Sequence, residues 1–269
     1  MWRNLYNISW AVENDVLYTF AENEKTLSAW QPFGAAEKMQ DAISKILTCA
    51  NELKGDRKFK FDFLEKNFVE ELEKYPAAKF ETDFKSAYTD YVYNAEDLIN
   101  LSGRKFHGKK NHLNQFYKDY PRVEYSPLTA EIIPQCLKLL ESWYEIQLND
   151  PELASLRENL LQEKNAIREV FSDFEYFGIK GGAMLFGQNV IAFTFGEKLN
   201  SDTAVIHVEK ADPEIRGAYT AINQNFIAHE WANMTYINRE EDMGLDGLRK
   251  AKESYRPVKM IEKFSAKIV

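Results

Sequence analysis

His207, Glu209 and Lys210 stand where an alternating apolar run, Thr203–Val208, gives way to a loop. Strand alternation puts His207 and Glu209 on one face and Lys210 on the other. A His/Glu pair at a strand end beside a cleft is placed to take a proton from an attacking amine, which makes both catalytic candidates. The alternative is a buried strand histidine satisfied by a carboxylate. The loop Ala211-Asp-Pro-Glu-Ile-Arg-Gly-Ala-Tyr219 then enters a helix beginning near Thr220. Unpaired N–H groups and the dipole at a helix start bind anions. Gly217 permits close backbone approach, Arg216 adds a fixed positive charge and Ala218 leaves the turn uncluttered. With Tyr219 and Thr220 these are the candidate cofactor-binding residues, unless Gly217 is simply a loop residue before a helix.

Asn238-Arg-Glu-Glu-Asp-Met-Gly244 follows a short run, Met234–Ile237, that reads as a strand. Ligands of open sheets gather at such strand ends. Arg239, with Asn238, can hold a carboxylate or phosphate, while Glu240 or Glu241 can serve as base or amine-binding carboxylate. One acidic turn without matched histidine spacing does not make a metal site, and no metal is expected. Arg249, Lys252 and Tyr255 form either an anion-binding wall facing the 216–220 loop or a solvated helix face. The most basic stretch, Arg104 to Lys118, includes Arg104, Lys105, Lys109 and Lys110 as an anion or tRNA patch, and it reads as a connection between two halves.

The elements that must position these residues follow from periodicity. In the first half, Val16–Phe20 and Leu27–Trp30 read as a hairpin, 36–53 as a helix, Phe59–Phe63 as a strand, 65–75 as a helix and Tyr88–Tyr93 as a short strand. A further helix opens at Asn94. In the second half the order is strand Val123–Tyr125, two helices (132–146 and 153–171), strands Ile179–Phe186, Val190–Glu197 and Thr203–Val208, a helix over 220–232, strand Met234–Ile237, a helix over 247–254 and a final strand Met260–Val269. That order resembles the GNAT superfamily of N-acyltransferases, whose splayed sheet holds a ligand beside its fourth strand. The GNAT pyrophosphate loop usually spaces two small residues two apart after a basic or amide residue. Here Arg216-Gly217-Ala218 is compressed, and Tyr219 intrudes.

The expected fold class is therefore α+β, as two GNAT-like units (acyl-CoA N-acyltransferase type), each a mixed, mostly antiparallel sheet flanked by helices. The boundaries are 1–103, a basic connector 104–122, and 123–269 carrying the cleft. A length of 269 residues supports two such units, and the 45% apolar and 28% charged composition excludes a disordered or fibrous chain. A net charge of −8 opposes polyanions globally, so nucleic acid or anionic lipid would need a local basic patch. Two cysteines make no disulfide framework, and no apolar run is long enough to span a membrane, so a cytoplasmic protein without stable membrane insertion is expected.

Four segments, Leu101 to Phe116, His207 to Ala211, Gly217 to Asn223 and Tyr236 to Tyr255, resemble a bacterial family related to the C-terminal catalytic domain of phosphatidylglycerol lysyltransferase. The resemblance implies two GNAT-like domains, as in Fem-type aminoacyltransferases. It also implies acyl or aminoacyl transfer from coenzyme A or tRNA onto an amine or hydroxyl of a small-molecule or lipid-like acceptor. A non-catalytic binding module keeping the same fold is the alternative. The start Met1–Tyr6 is abrupt, which suggests an incomplete first strand.

Overall fold

The computed structural model describes residues 6–269, so most of that abrupt start, Met1–Leu5, lies outside the described residues. The chain divides into two compact units. One takes the chain up to Thr89 together with Asp242–Gly244 and Ile261–Val269, and the other takes Asp90–Glu241 and Leu245–Met260.

The first unit contains β1 (Ile8–Glu13), β2 (Val16–Glu22), β3 (Thr26–Ala29), helix α1 (Met39–Leu53), β4 (Lys58–Leu64), α2 (Lys66–Glu73) and β5 (Phe80–Phe84). Its sheet runs β1-β2-β3-β4, then the chain's last strand Phe264–Ile268, then β5. β3 and β4 are parallel because α1 carries the chain back across the sheet, while the other pairs are antiparallel. Met39, Ala42, Ile43, Ile46 and Ala50 of α1 fall on one stripe and are buried, as the helical spacing requires. The last strand was expected in the other half. The segment read as one strand, 260–269, is two strands, one in each sheet.

The second unit contains β6 (Asp90–Asn94), α3 (Ala95–Asn100), α4 (His107–Asp119), β7 (Val123–Pro127), α5 (Ile133–Leu148), α6 (Arg157–Ser172) and α7 (Phe174–Phe177). It continues with β8 (Lys180–Phe186), β9 (Asn189–Lys198), β10 (Thr203–Ala211), α8 (Ala218–Glu230), β11 (Tyr236–Asn238), α9 (Asp246–Glu253) and β12 (Lys259–Ile261). The sheet order is β12-β6-β11-β10-β9-β8-β7. Two cores form on its faces. Phe106, Phe116, Ile206, Ala211, Ile222 and Phe226 build the one around α8. Leu140, Tyr144, Ile167, Phe171, Phe193 and Val208 build the one under α5 and α6.

The boundary between units thus falls at Thr89/Asp90, where the sequence suggested 103. The basic stretch is not a connector: its residues 107–119 form α4, with Phe106, Leu113 and Phe116 buried in the second unit's core. Its apolar positions recur at helical spacing, and that burial outweighs the poor helix propensity of Gly108 and the two asparagines. The expected α+β class, mixed sheets flanked by helices, is what the chain forms.

Candidate active site

β11 pairs with β10 only through Thr203–Val205 against Tyr236–Asn238, in parallel. Beyond Val205, β10 runs on to Ala211 paired with β9 alone, so the sheet opens between β10 and the end of β11. A bulge at His207 shifts the β9–β10 register. It is accommodated by Gly196, where a Cβ would lie 2.1 Å from the Val205 carbonyl oxygen. Because of the extra residue, Ile206 and Ala211 both belong to the α8 core, although unbroken alternation would separate them. The shared face expected for His207 and Glu209 is therefore not realised, and the two residues have separate partners.

Glu209 points toward α8 and the opening. Asn223 Nδ2 donates to its Oε1 at 2.6 Å, and Arg239 Nη2 donates to its Oε2. Arg239 lies 4.8 Å from the Tyr255 ring centroid and 5.7 Å from that of Tyr93. Burial opposes its charge, but Glu209 raises its pKa further, so Arg239 stays charged. Its Nε and Nη1, and Asn223 Oδ1, are buried without a hydrogen-bond partner. Lys109 reaches in from α4 to stack 4.0 Å from the Tyr255 centroid. Desolvation, aided by Arg239, lowers its pKa to about 8. Lys252 acts as a strut: its Nζ donates to the Arg239 carbonyl and, at 3.0 Å, to the Glu240 carbonyl. Its pKa is likewise lowered to about 8 by burial and by Arg239.

His207 sits between carboxylates, with Nδ1 2.8 Å from Glu240 Oε1 and Nε2 2.9 Å from Glu197 Oε1. Burial alone would lower its pKa, but these two hydrogen bonds raise it to about 9, so it is an imidazolium at neutral pH. With both nitrogens engaged it is a clip more than a base. Glu240 is brought there by the turn after β11: Asn238 Oδ1 accepts the Glu240 N–H at 2.7 Å, and Glu240 takes a left-handed φ of 56°. Next to it, desolvation and then the Glu240 charge push the Glu241 carboxyl up to about 7.

The 216–220 loop is less open than the sequence suggests. Gly217 has φ 93°, and a Cβ there would meet Phe116 Cβ at 2.9 Å and the His112 carbonyl at 3.0 Å, so α4 fills that side. Arg216 Nη2 lies 3.1 Å from His112 Nε2, Ala218 and Thr220 are buried, and the Tyr219 hydroxyl accepts from Trp143 Nε1. Arg249 pairs with Asp246 on its own helix. Lys210 lies on the opposite face, bonded to Glu163 and 3.7 Å from the Trp143 centroid. Arg104 and Lys110 line a separate cavity of about 620 Å³ with Leu101, Ser102, Gly103 and His107. Lys105 pairs with Asp97. Among the described residues no cluster of three metal-ligating side chains occurs, and no helix is long and apolar enough to cross a membrane.

Comparison with known proteins gives the family. The family described as phosphatidylglycerol lysyltransferase, C-terminal, matches residues 1–267. The chain belongs to that family. A conserved protein of unknown function from Bacteroides thetaiotaomicron superposes with TM-score 0.90 at 35% identity, over 100% of this chain and 88% of that one. The C-terminal domain of a putative lysylphosphatidylglycerol synthetase from Agrobacterium fabrum superposes with TM-score 0.67 at 12% identity, over 98% and 84%. An uncharacterised protein of Mycoplasmoides gallisepticum is 28% identical over 181 residues, which is 67% of this chain but only 56% of that relative.

In this lysyltransferase-domain fold, all four segments that carry the resemblance meet at one cluster. Lys109 comes from the first, Glu209 from the second, Asn223 from the third, and Arg239, Lys252 and Tyr255 from the fourth. Sequence reasoning gave no site role to Asn223, although it closes the third of these segments, and it missed Tyr93 and Glu197, which lie inside strands and carry no motif of their own. The isolated Gly196 in a strand pattern was the available sign of the bulge.

Proposed function

We propose that this lysyltransferase-family chain transfers an aminoacyl group from a tRNA-linked donor to an amine or hydroxyl acceptor in the opening between β10 and β11. The observation that carries the reading is the Glu209–Arg239 pair, desolvated in that opening with Arg239 Nε, Arg239 Nη1 and Asn223 Oδ1 unpartnered. Such groups suit an aminoacyl ester. A carboxylate and an amide oxygen receive its ammonium, and a fixed cation faces the carbonyl oxygen where charge develops.

The acceptor attacks the ester carbonyl carbon, the bond from that carbon to the donor oxygen breaks, and the leaving oxygen takes up the proton that the acceptor gives up to the base. The acceptor's proton goes to a carboxylate. Both Glu209 oxygens and both His207 nitrogens are already bonded, which leaves Glu241, in the turn after β11 and with its carboxyl pushed up by burial, as the proposed acceptor of that proton.

Acyl-coenzyme A is the weaker donor. The Gly217 surface where its pyrophosphate would approach is packed against α4. The cavity lined by Arg104, His107 and Lys110 offers an alternative place for nucleic-acid phosphates on this acidic chain. A GNAT-like reading of the first unit belongs to the same proposal and rests on its mixed sheet with β3 parallel to β4.

Thermal-shift titration with charged tRNA, uncharged tRNA and acetyl-coenzyme A at graded salt tests the reading. Saturable, steeply salt-dependent stabilisation by charged tRNA is expected. Stabilisation by acetyl-coenzyme A alone would replace the donor. No response to any of them would favour a non-catalytic binding module.

A further inference from the structure

The two sheets of the described residues have four outer strands, and three of them are blunted against further pairing. β12 is only three residues long, β7 carries Glu124 and ends at Pro127, and β5 alternates Glu81 and Asp83 between the flanking Lys79 and Lys85. Short length, proline and charge are the means by which an exposed strand edge is kept from accepting another strand. β1 has none of them. Its six residues, Ile8-Ser-Trp-Ala-Val-Glu13, are uncharged until the last and hold no proline, and among the described residues β2 alone pairs with it, without a bulge. The one charge, Glu13, is held by Lys45 of α1. Antiparallel pairing sets Val12 opposite Leu17, and Leu17 bridges in turn to Phe33, so these three stand in a row on one face with Trp10 beside them. α1 covers the other face, where Lys45 lies over the Tyr18 ring. Trp10, Val12 and Phe33 are left 71%, 61% and 53% exposed. An apolar strip beside an unprotected edge suits pairing with another chain.

We propose that β1 pairs antiparallel with β1 of a second copy about a two-fold axis, so that the six-stranded sheets of two copies continue as one. The edge is complementary to itself. Only alternate residues of an antiparallel strand turn their N–H and C=O outward, so a two-fold pairing opposes even-numbered residues to even and odd to odd. The apolar face therefore meets the apolar face. Trp10 comes opposite Trp10 or Val12 of the second copy, an aromatic or aromatic–β-branched cross-strand pair. In those two registers Glu13 faces Asn7 or Ser9 and never a second Glu13, so no like charges are brought together. With Glu13 already bonded to Lys45, β1 offers no charge to select a different partner, whereas a second copy always supplies the matching strip. Trp10 and Val12 at these exposures, with the edge backbone of β1, offer on the order of 500–600 Å² a side, against roughly 600 Å² where specific interfaces begin. The dimer is therefore a weak one that dissociates in the micromolar range or above. It makes no use of the transfer chemistry proposed above, and either reading can fail alone.

Sedimentation velocity of the full chain from micromolar to sub-millimolar concentration tests the interface in the parent and in Trp10→Ala, Val12→Lys and Phe84→Lys. The last places a charge on the opposite edge of the same sheet. A concentration-dependent equilibrium between monomer and dimer is expected in the parent and, unchanged, in Phe84→Lys. Val12→Lys should weaken it at least about ten-fold, because each copy brings the new charge to the seam, and Trp10→Ala should weaken it in the same direction. A parent that stays monomeric throughout overturns the proposal, as does a dimer that Val12→Lys leaves intact or that Phe84→Lys weakens as much. Should Val12→Lys not fold, backbone hydrogen exchange of the parent at low and high concentration reads the edge directly. Exchange in residues 8–12 should slow at the higher concentration while that of β5 is unchanged. Equal protection at both concentrations would show that no second copy covers β1, and overturns the proposal.

Discussion

Arg239 donates to Glu209 across the place where β10 and β11 part, joining the end of a three-residue strand to the far half of a nine-residue one. Each side chain is only 13% exposed. Removing one partner leaves a desolvated charge, so Glu209→Gln or Arg239→Gln should cost roughly 3–5 kcal/mol in urea unfolding. The double variant should cost clearly less than the two singles together. Additive losses would show that the two charges do not compensate each other.

His207 makes stability depend on pH. Its folded pKa, about 9, lies above the ordinary value of 6.5. The stabilisation is therefore fully present below about pH 6.5 and is lost as pH rises through 9. Urea midpoints across that window should fall in the parent, and the fall should be largely absent in His207→Gln. An identical pH profile in the variant would place the titrating group elsewhere.

Glu241 has the opposite consequence for a carboxylate, because its pKa is raised from 4.5 to about 7 by burial and by Glu240. The folded state holds a proton that the unfolded chain releases, so stability falls as pH rises through that range. Glu241→Gln should be more stable than the parent above pH 7. If the residue accepts the proton in transfer, the rate in the parent should rise through pH 7, and the variant should lose that limb.

Gly217 joins a left-handed φ to contact with α4. Gly217→Ala should lower stability by about 1–3 kcal/mol in thermal or urea unfolding. Gly108, inside α4 with open space around it, is the control. There Gly108→Ala should raise stability by roughly 0.5–1 kcal/mol.

Much of this fold was legible as local pattern. The helices under Met39 to Leu53 and Ile133 to Leu148 and the three successive strands over 180–211 follow from apolar spacing, which depends only on neighbours along the chain. The acidic and basic residues after β11 were also legible as a strand-end cluster, and the four segments of family resemblance held most of the site. Partnership was not legible. The bulge at His207 changes which face Glu209 occupies, and a one-residue shift reverses every side chain after it. Whether Lys109 meets solvent or Tyr255 depends on how α4 packs on α8, a long-range contact with no sequence period. The sequence by itself determined the elements, the charge and the set of candidate residues. Tertiary structure decided which of them share a desolvated opening, because pKa and hydrogen-bond partnership arise from distances between strands and helices far apart in the chain.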